Sequence, residues 1–143
     1  MTNKKKILNI AKSVISIEQE DISELGQRLS DDFPNAVELI LSSEGRVIVA
    51  GVGKSANIAN KIVATLNSTG QPAVFLHAAD ALHGDLGNIQ NNDVVICISK
   101  SGNTEEIKSF IPLVKNAPND CPAEPISLIL IVSSFSFPFP YFL

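Results

Sequence analysis

Between Ile7 and Leu29 the apolar positions Ile7, Ile10, Val14, Ile17, Ile22, Leu25 and Leu29 recur at spacings of three to five, with Lys, Glu, Asp and Gln between them. That repeat traces one face of a helix and predicts a long amphipathic one. Asp31 and Asp32, followed by Phe33 and Pro34, read as the start of a second helix over Ala36 to Leu41. An Asp carboxylate accepts from the open amides of a first turn, and Pro loses nothing there because its missing N–H would be unpaired in any case. Ser42, Ser43 and Gly45 end this helix.

The pattern then changes period. Val47-Ile48-Val49-Ala50, Ala73-Val74-Phe75-Leu76 and Val94-Val95-Ile96-Cys97-Ile98 are short continuous apolar runs bounded by Gly, Pro, Asn or Asp. Strands covered on both faces read in this way. Helical stretches separate them: Ile58, Ile62 and Leu66 share one face of the first, and Ile107, Ile111 and Val114 one face of a later one, which Pro112 is placed to kink. Strands alternating with helices predict βαβ units and an α/β fold, a three-layer doubly wound parallel sheet preceded by two N-terminal helices.

Beyond Lys115 the stretch Asn116 to Pro125 is loop-like, and Ile126 to Leu143 carries no charge. A fourth strand is expected over Ile126 to Val132, followed by an atypical hydrophobic tail of non-native or frame-shifted character. Pro138, Pro140 and four serines count against a membrane-spanning helix there. The expected organisation is therefore N-terminal helices over residues 1–42 packing on the domain, an α/β domain over 43–132 and the tail over 133–143.

With 143 residues, 45% of them apolar and 18% charged, the chain fits one globular core. Two cysteines without a CxxC partner argue against zinc and redox chemistry and for free thiols in a reducing cytoplasm. The net charge is −4, and the eleven Lys and Arg are scattered apart from Lys4, Lys5 and Lys6, so no nucleic-acid partner is expected. Asn9, Lys12 and Ser13 interrupt any signal-peptide apolar region, which leaves the basic triplet as a solvated first helical turn.

In open parallel sheets ligands sit beyond the carboxyl ends of the strands, where loops lead into helix N-termini. Two such loops are unusual here: Gly51-Val52-Gly53-Lys54-Ser55 and Ser99-Lys100-Ser101-Gly102-Asn103-Thr104. Glycine permits close backbone approach and the hydroxyls donate to phosphate oxygens, so together the loops predict a phosphate cradle. Taken alone, the second loop also reads as an ordinary capped helix start. Gly51-x-Gly53-x-x-Ala56 matches a relaxed dinucleotide pattern, but the acidic residue comes late, at Asp80; a GxxxxGK loop would need glycine at Ile48. Between the loops, both histidines fall within His77-Ala-Ala-Asp80-Ala-Leu-His83-Gly84-Asp85-Leu-Gly87. They form a candidate acid/base or metal-capable cluster, metal being the weaker option for want of a third ligand.

GVGKS, STGQPAVFLHAADALHGDLG and DVVICISKSGNTEEI, in that order, resemble the sugar isomerase (SIS) domain, and most of all the arabinose 5-phosphate isomerases that feed Kdo and lipopolysaccharide synthesis. The likeness runs from about Leu25 to Lys115. It implies that Ser99, Ser101, Gly102 and Thr104, with Ser55, bind the sugar phosphate, next to Gly53 and Asn103 of the same loops. It implies catalytic roles for Lys54, His83 and Glu106, a metal contact at His77, and substrate contacts at Gly70 and Gln71.

The implied reaction interconverts D-arabinose 5-phosphate and D-ribulose 5-phosphate. Moving a proton between C1 and C2 through an enediol needs a base, here Glu106 or His83, and a cation or donor at the developing oxyanion, here Lys54. No cofactor is implied, and a homo-oligomer in the cytoplasm is. The family continues with a fifth strand, a further catalytic Glu and His, and often a pair of CBS domains. None of these follows Lys115, so the resemblance implies a shortened chain. A non-catalytic sugar-phosphate-binding module is the alternative function.

Overall fold

A computed structural model describes residues 3–116 and 127–132. The chain divides into two units, residues 1–37 and 38–143. In the first, α1 (Asn3–Arg28) runs unbroken for 26 residues with none of them buried. The second helix, α2 (Asp32–Ser42), begins earlier than Ala36. Its first amide, Asp32 N–H, donates to Ser30 Oγ at 3.3 Å, and Pro34 is absorbed in the first turn, where no N–H is needed. None of the helices among the described residues is long and apolar enough to cross a membrane.

The second unit holds a four-stranded parallel sheet of β1 (Val47–Gly51), β2 (Ala73–His77), β3 (Val94–Ser99) and β4 (Ser127–Val132), in the order β2-β1-β3-β4. The expected strand at the end of the domain is thus present, paired to β3 from Val94↔Ser127 to Ser99↔Val132. Residues 133–143 lie outside the described part. The connections are α3 (Lys54–Ser68), α4 (Ala78–Ala81) with a 3-10 turn at Asp85–Asn88, and α5 (Glu105–Lys115).

Strand order explains the layers. The chain steps one way from β1 to β2 and the other way from β2 to β3, so crossovers of constant hand put α3 on one face and α4 and α5 on the other. Val47, Val49, Ala73, Ile96 and Ile98 accordingly pack with Ala59, Ile62, Val63 and Leu66 of α3. On the opposite face Ile48, Ala50, Leu76, Val95 and Cys97 pack with Ala78 and Ala81 of α4 and with Ile107, Phe110 and Val114 of α5. Both β1 and β3 are buried along their whole length, as an apolar run between two helical layers must be.

Two helix faces differ from expectation. Ile58 is 54% exposed, because Ala59 takes the position against the sheet and lets the α3 backbone approach closely. In α5 the fully buried aromatic is Phe110, with Ile111 only half-buried beside it. The helix continues through Pro112 to Lys115.

Candidate functional site

The order β2-β1-β3 makes the boundary between β1 and β3 the place where the chain reverses direction across the sheet. Loops leaving neighbouring strands there turn to opposite faces, and a crevice opens between them. A cleft of about 190 Å³ occupies that crevice, lined by Val52, Lys54, Ser55, Ile98, Ser99, Lys100, Thr104 and Ile107. Both predicted loops therefore converge, although they are far apart in sequence.

The first loop is shaped by two glycines. A Cβ on Gly51 would stand 2.9 Å from the carbonyl carbon of Ser55 and 3.1 Å from the Ala56 nitrogen, so only glycine lets the first turn of α3 fold back on the end of β1. Gly53 precedes α3 with φ 56°, a left-handed conformation that other side chains resist. No side chain caps this helix start. The Ser55 and Ala56 amides turn to the Val52 and Gly53 carbonyls, each at 3.1 Å, and this end carries the positive end of the helix dipole, with Lys54 and Ser55 at it.

The second loop repeats the arrangement with hydroxyls. Ser99 is 3% exposed, and its Oγ accepts the Gly102 N–H at 3.0 Å, while Ser101 Oγ accepts the Asn103 N–H at 3.2 Å. These bonds hold the backbone in a tight turn ahead of α5. Thr104 stands at the N-cap in extended conformation without bonding a first-turn amide through its side chain. The capped helix start considered for this loop is therefore not formed through a side chain: Ser99 and Ser101 brace the turn instead.

The other predicted residues are distributed more widely. Gly53, Ser101, Gly102 and Asn103 belong to the two loops but do not line the cleft, and neither does Glu106, which stands half-buried in the first turn of α5. His77 ends β2. Its ring meets Phe75 edge-on at 6.4 Å, and its buried Nδ1 has no hydrogen-bond partner, with Asp80 Oδ1 3.7 Å away. His83 is exposed, and its backbone N–H donates to the Asp80 carbonyl at 2.9 Å. Among the described residues no group of three or more His, Cys, Asp or Glu gathers to hold a metal ion. Gly70 and Gln71 close α3 before β2, where Gln71 N–H donates to the Leu66 carbonyl at 3.0 Å. Because β1 and β2 are parallel, that position is at the amino end of the sheet, a full strand length from the cleft of the same chain.

Lys100 lines the cleft and was not among the predicted site residues. It sits inside the predicted loop, where hydroxyls and glycines carry the signal and a lysine between two serines carries none.

A three-layer parallel sheet with a hydroxyl-lined crevice at its topological switch point defines an open α/β class whose ligands sit beyond the carboxyl ends of the strands. The SIS domain family matches residues 40–128, and the chain belongs to that family. It is 47% identical over 110 residues to the arabinose 5-phosphate isomerase GutQ of Escherichia coli, covering 77% of this chain and 34% of that protein. With the arabinose 5-phosphate isomerase KdsD of Pseudomonas aeruginosa it shares 44% identity over 115 residues, 80% of this chain and 35% of that one. The chain thus spans about one third of the length of these relatives, which are 34% and 35% covered. An E. coli protein solved in complex with arabinose 5-phosphate superposes with a TM-score of 0.79 at 36% identity, over 91% of this chain and 65% of that chain.

Proposed function

We propose that this chain is the sugar-phosphate-binding core of an aldose–ketose isomerase acting on D-arabinose 5-phosphate and D-ribulose 5-phosphate. The observation that carries the reading is the convergence of two uncapped helix N-termini with Lys54, Ser55, Ser99 and Thr104 on one cleft. The phosphate seats there, each charge-assisted bond contributing about 1.5–3 kcal/mol. The relatives' activity and the arabinose 5-phosphate held by the superposed structure point the same way.

In the ring-opened aldose a base, Glu106 or His83, removes the C2 proton. The electron pair becomes the C1–C2 double bond, and the charge that moves onto O1 is stabilised by Lys54 and then protonated. Returning a proton to C1 and releasing the O2 proton gives the ketose. Atoms and electrons balance without a cofactor. Oligomerisation belongs to the same proposal.

A second reading, a sugar-phosphate-binding module without turnover, is favoured by one observation: of Lys54, His83 and Glu106, only Lys54 lines the cleft. A coupled isomerase assay with arabinose 5-phosphate, run beside a thermal-shift titration, separates the two. Turnover that disappears in Glu106→Gln supports the isomerase. A melting shift without turnover leaves the module, and neither signal sinks both.

A further inference from the structure

The eight residues along the cleft include two cations and no carboxylate: Lys54 opens α3 and Lys100 follows β3. Two acidic residues follow the second loop, yet neither lines the cleft, and Glu105 is paired with Lys108 at 3.2 Å. Ile98 and Ile107, 7% and 1% exposed, form an apolar wall beside the lysines. Such a wall lowers the local dielectric and strengthens the field of fixed charges in the crevice. Ser99 adds a buried hydroxyl whose oxygen already accepts from Gly102, which leaves its proton to donate.

We propose that Lys100 is the charge-selecting residue of this cleft, setting its preference for a doubly charged phosphate monoester over a singly charged ester of the same shape. The inference rests on the sugar-phosphate reading above and adds to it a residue and a selectivity. The physical basis is that Coulomb energy scales with the product of the charges. Removing one cation therefore costs a dianion twice the free energy that it costs a monoanion in the same position. Lys100 is exposed, so its replacement leaves the packed layers untouched.

The test is calorimetric titration of the whole chain with arabinose 5-phosphate and with arabinose 5-sulfate at about pH 8, where the phosphate monoester, with its second pKa near 6, is a dianion and the sulfate ester a monoanion. In Lys100→Gln the phosphate ester binds about tenfold more weakly and the sulfate ester about threefold, the square root of the first factor. Lys100→Arg keeps the charge and retains the preference. Lys61→Gln, which alters an exposed cation of α3 outside the cleft, changes both affinities by less than about twofold because such charges are screened. Equal losses for the two esters, or a loss below about twofold for the phosphate, overturn the role of Lys100 and leave the sugar-phosphate reading standing. Absence of saturable binding of the phosphate ester to the unaltered chain overturns both.

Discussion

Replacing Asp93 by Ala tests what sets the register of β1 against β3, and hence the width of the cleft at their far ends. Asp93 is 1% exposed and is satisfied from four directions. Its Oδ1 accepts the Arg46 N–H at 2.8 Å and the Nε–H at 3.3 Å; its Oδ2 accepts Nη2 at 2.8 Å and the Gln90 N–H at 2.9 Å. Hydrogen bonding to this carboxylate raises the pKa of the Arg46 guanidinium above its ordinary value, with burial opposing. Alanine removes every acceptor at once. Two backbone amides then lose their partners at about 1–3 kcal/mol each, and breaking a buried ion pair from one side costs about 3–5 kcal/mol. These figures overlap rather than add. The Arg46 side chain is 31% exposed and keeps its bond to the Asn88 carbonyl at 2.8 Å, so water recovers part of the loss. The expected destabilisation is about 3–4 kcal/mol, or roughly a 10 °C fall in melting temperature for a chain of this size. Urea unfolding followed by far-ultraviolet circular dichroism measures it. Asp93→Asn retains the shape but turns an amide NH2 toward the donors, and is expected to lose about 2–3 kcal/mol. A loss below about 1 kcal/mol for Asp93→Ala would refute the argument, because it would mean that water replaces all four bonds.

Three further outcomes follow from the same physics. Gly51→Ala drives a Cβ against the backbone of Ser55 at 2.9 Å, and the first turn of α3 has to shift; the expected cost is about 1–3 kcal/mol of stability together with at least about tenfold weaker binding of arabinose 5-phosphate, read by urea melts and calorimetry. Burial pushes the Cys97 thiol up to about 11. Above the unfolded thiol's pKa of about 8.5 the unfolded chain binds fewer protons than the folded one, so stability attributable to this group is complete below that pH and is lost as pH rises toward 11. The difference in unfolding free energy between the unaltered chain and Cys97→Ala should therefore shrink by roughly 2–3 kcal/mol between about pH 8 and pH 11, and a constant difference would remove the argument. Lys54→Met is expected to abolish turnover and to weaken phosphate-ester binding about tenfold while moving the urea midpoint little, since Lys54 is exposed at a helix start.

The sheet was legible because its strands are buried on both faces, which leaves unbroken apolar runs in Val47–Gly51 and Val94–Ser99. Helix faces were less so. Periodicity ranks Ile58 with Ile62, yet the sheet accepts Ala59 instead, since a small residue lets the backbone come closer than any isoleucine can. The two loops could be read as one cradle because parallel strands put their following loops on one edge. Which donors open into the crevice could not, because that depends on whether Thr104 bonds a first-turn amide of α5, and both choices have the same spelling. Gly70 and Gln71 lie beyond any local rule: the parallel register of β1 and β2 separates them from the cleft within one chain.

The two ends of the sheet differ in how their hydrogen bonds are closed, and the difference bears on where the proposed phosphate would bind. At the amino end, side chains complete what the strands leave open. Asn67 makes a two-way pair with Ala73, donating from Nδ2 to the carbonyl at 2.9 Å and accepting the amide at 2.8 Å, as a neighbouring strand would. Ser43 donates to the Asn92 carbonyl at 2.6 Å and accepts the Gly45 N–H at 3.1 Å, and Asp93 takes up the Arg46 and Gln90 amides. At the carboxyl end Ser99 and Ser101 brace only their own turn, and neither α3 nor α5 receives a side-chain cap. A side-chain cap contributes about 1 kcal/mol, and at α3 the Ser55 and Ala56 amides instead use the Val52 and Gly53 carbonyls, each at 3.1 Å, so this end forgoes less than two full caps. The closed end holds β1 and β3 in register; the other end is where the proposed function seats its phosphate. On the proposed reading, the side chains that close the amino end and those that meet the phosphate lie a strand length apart, coupled through the register of β1 against β3 and through the backbone fit of Gly51.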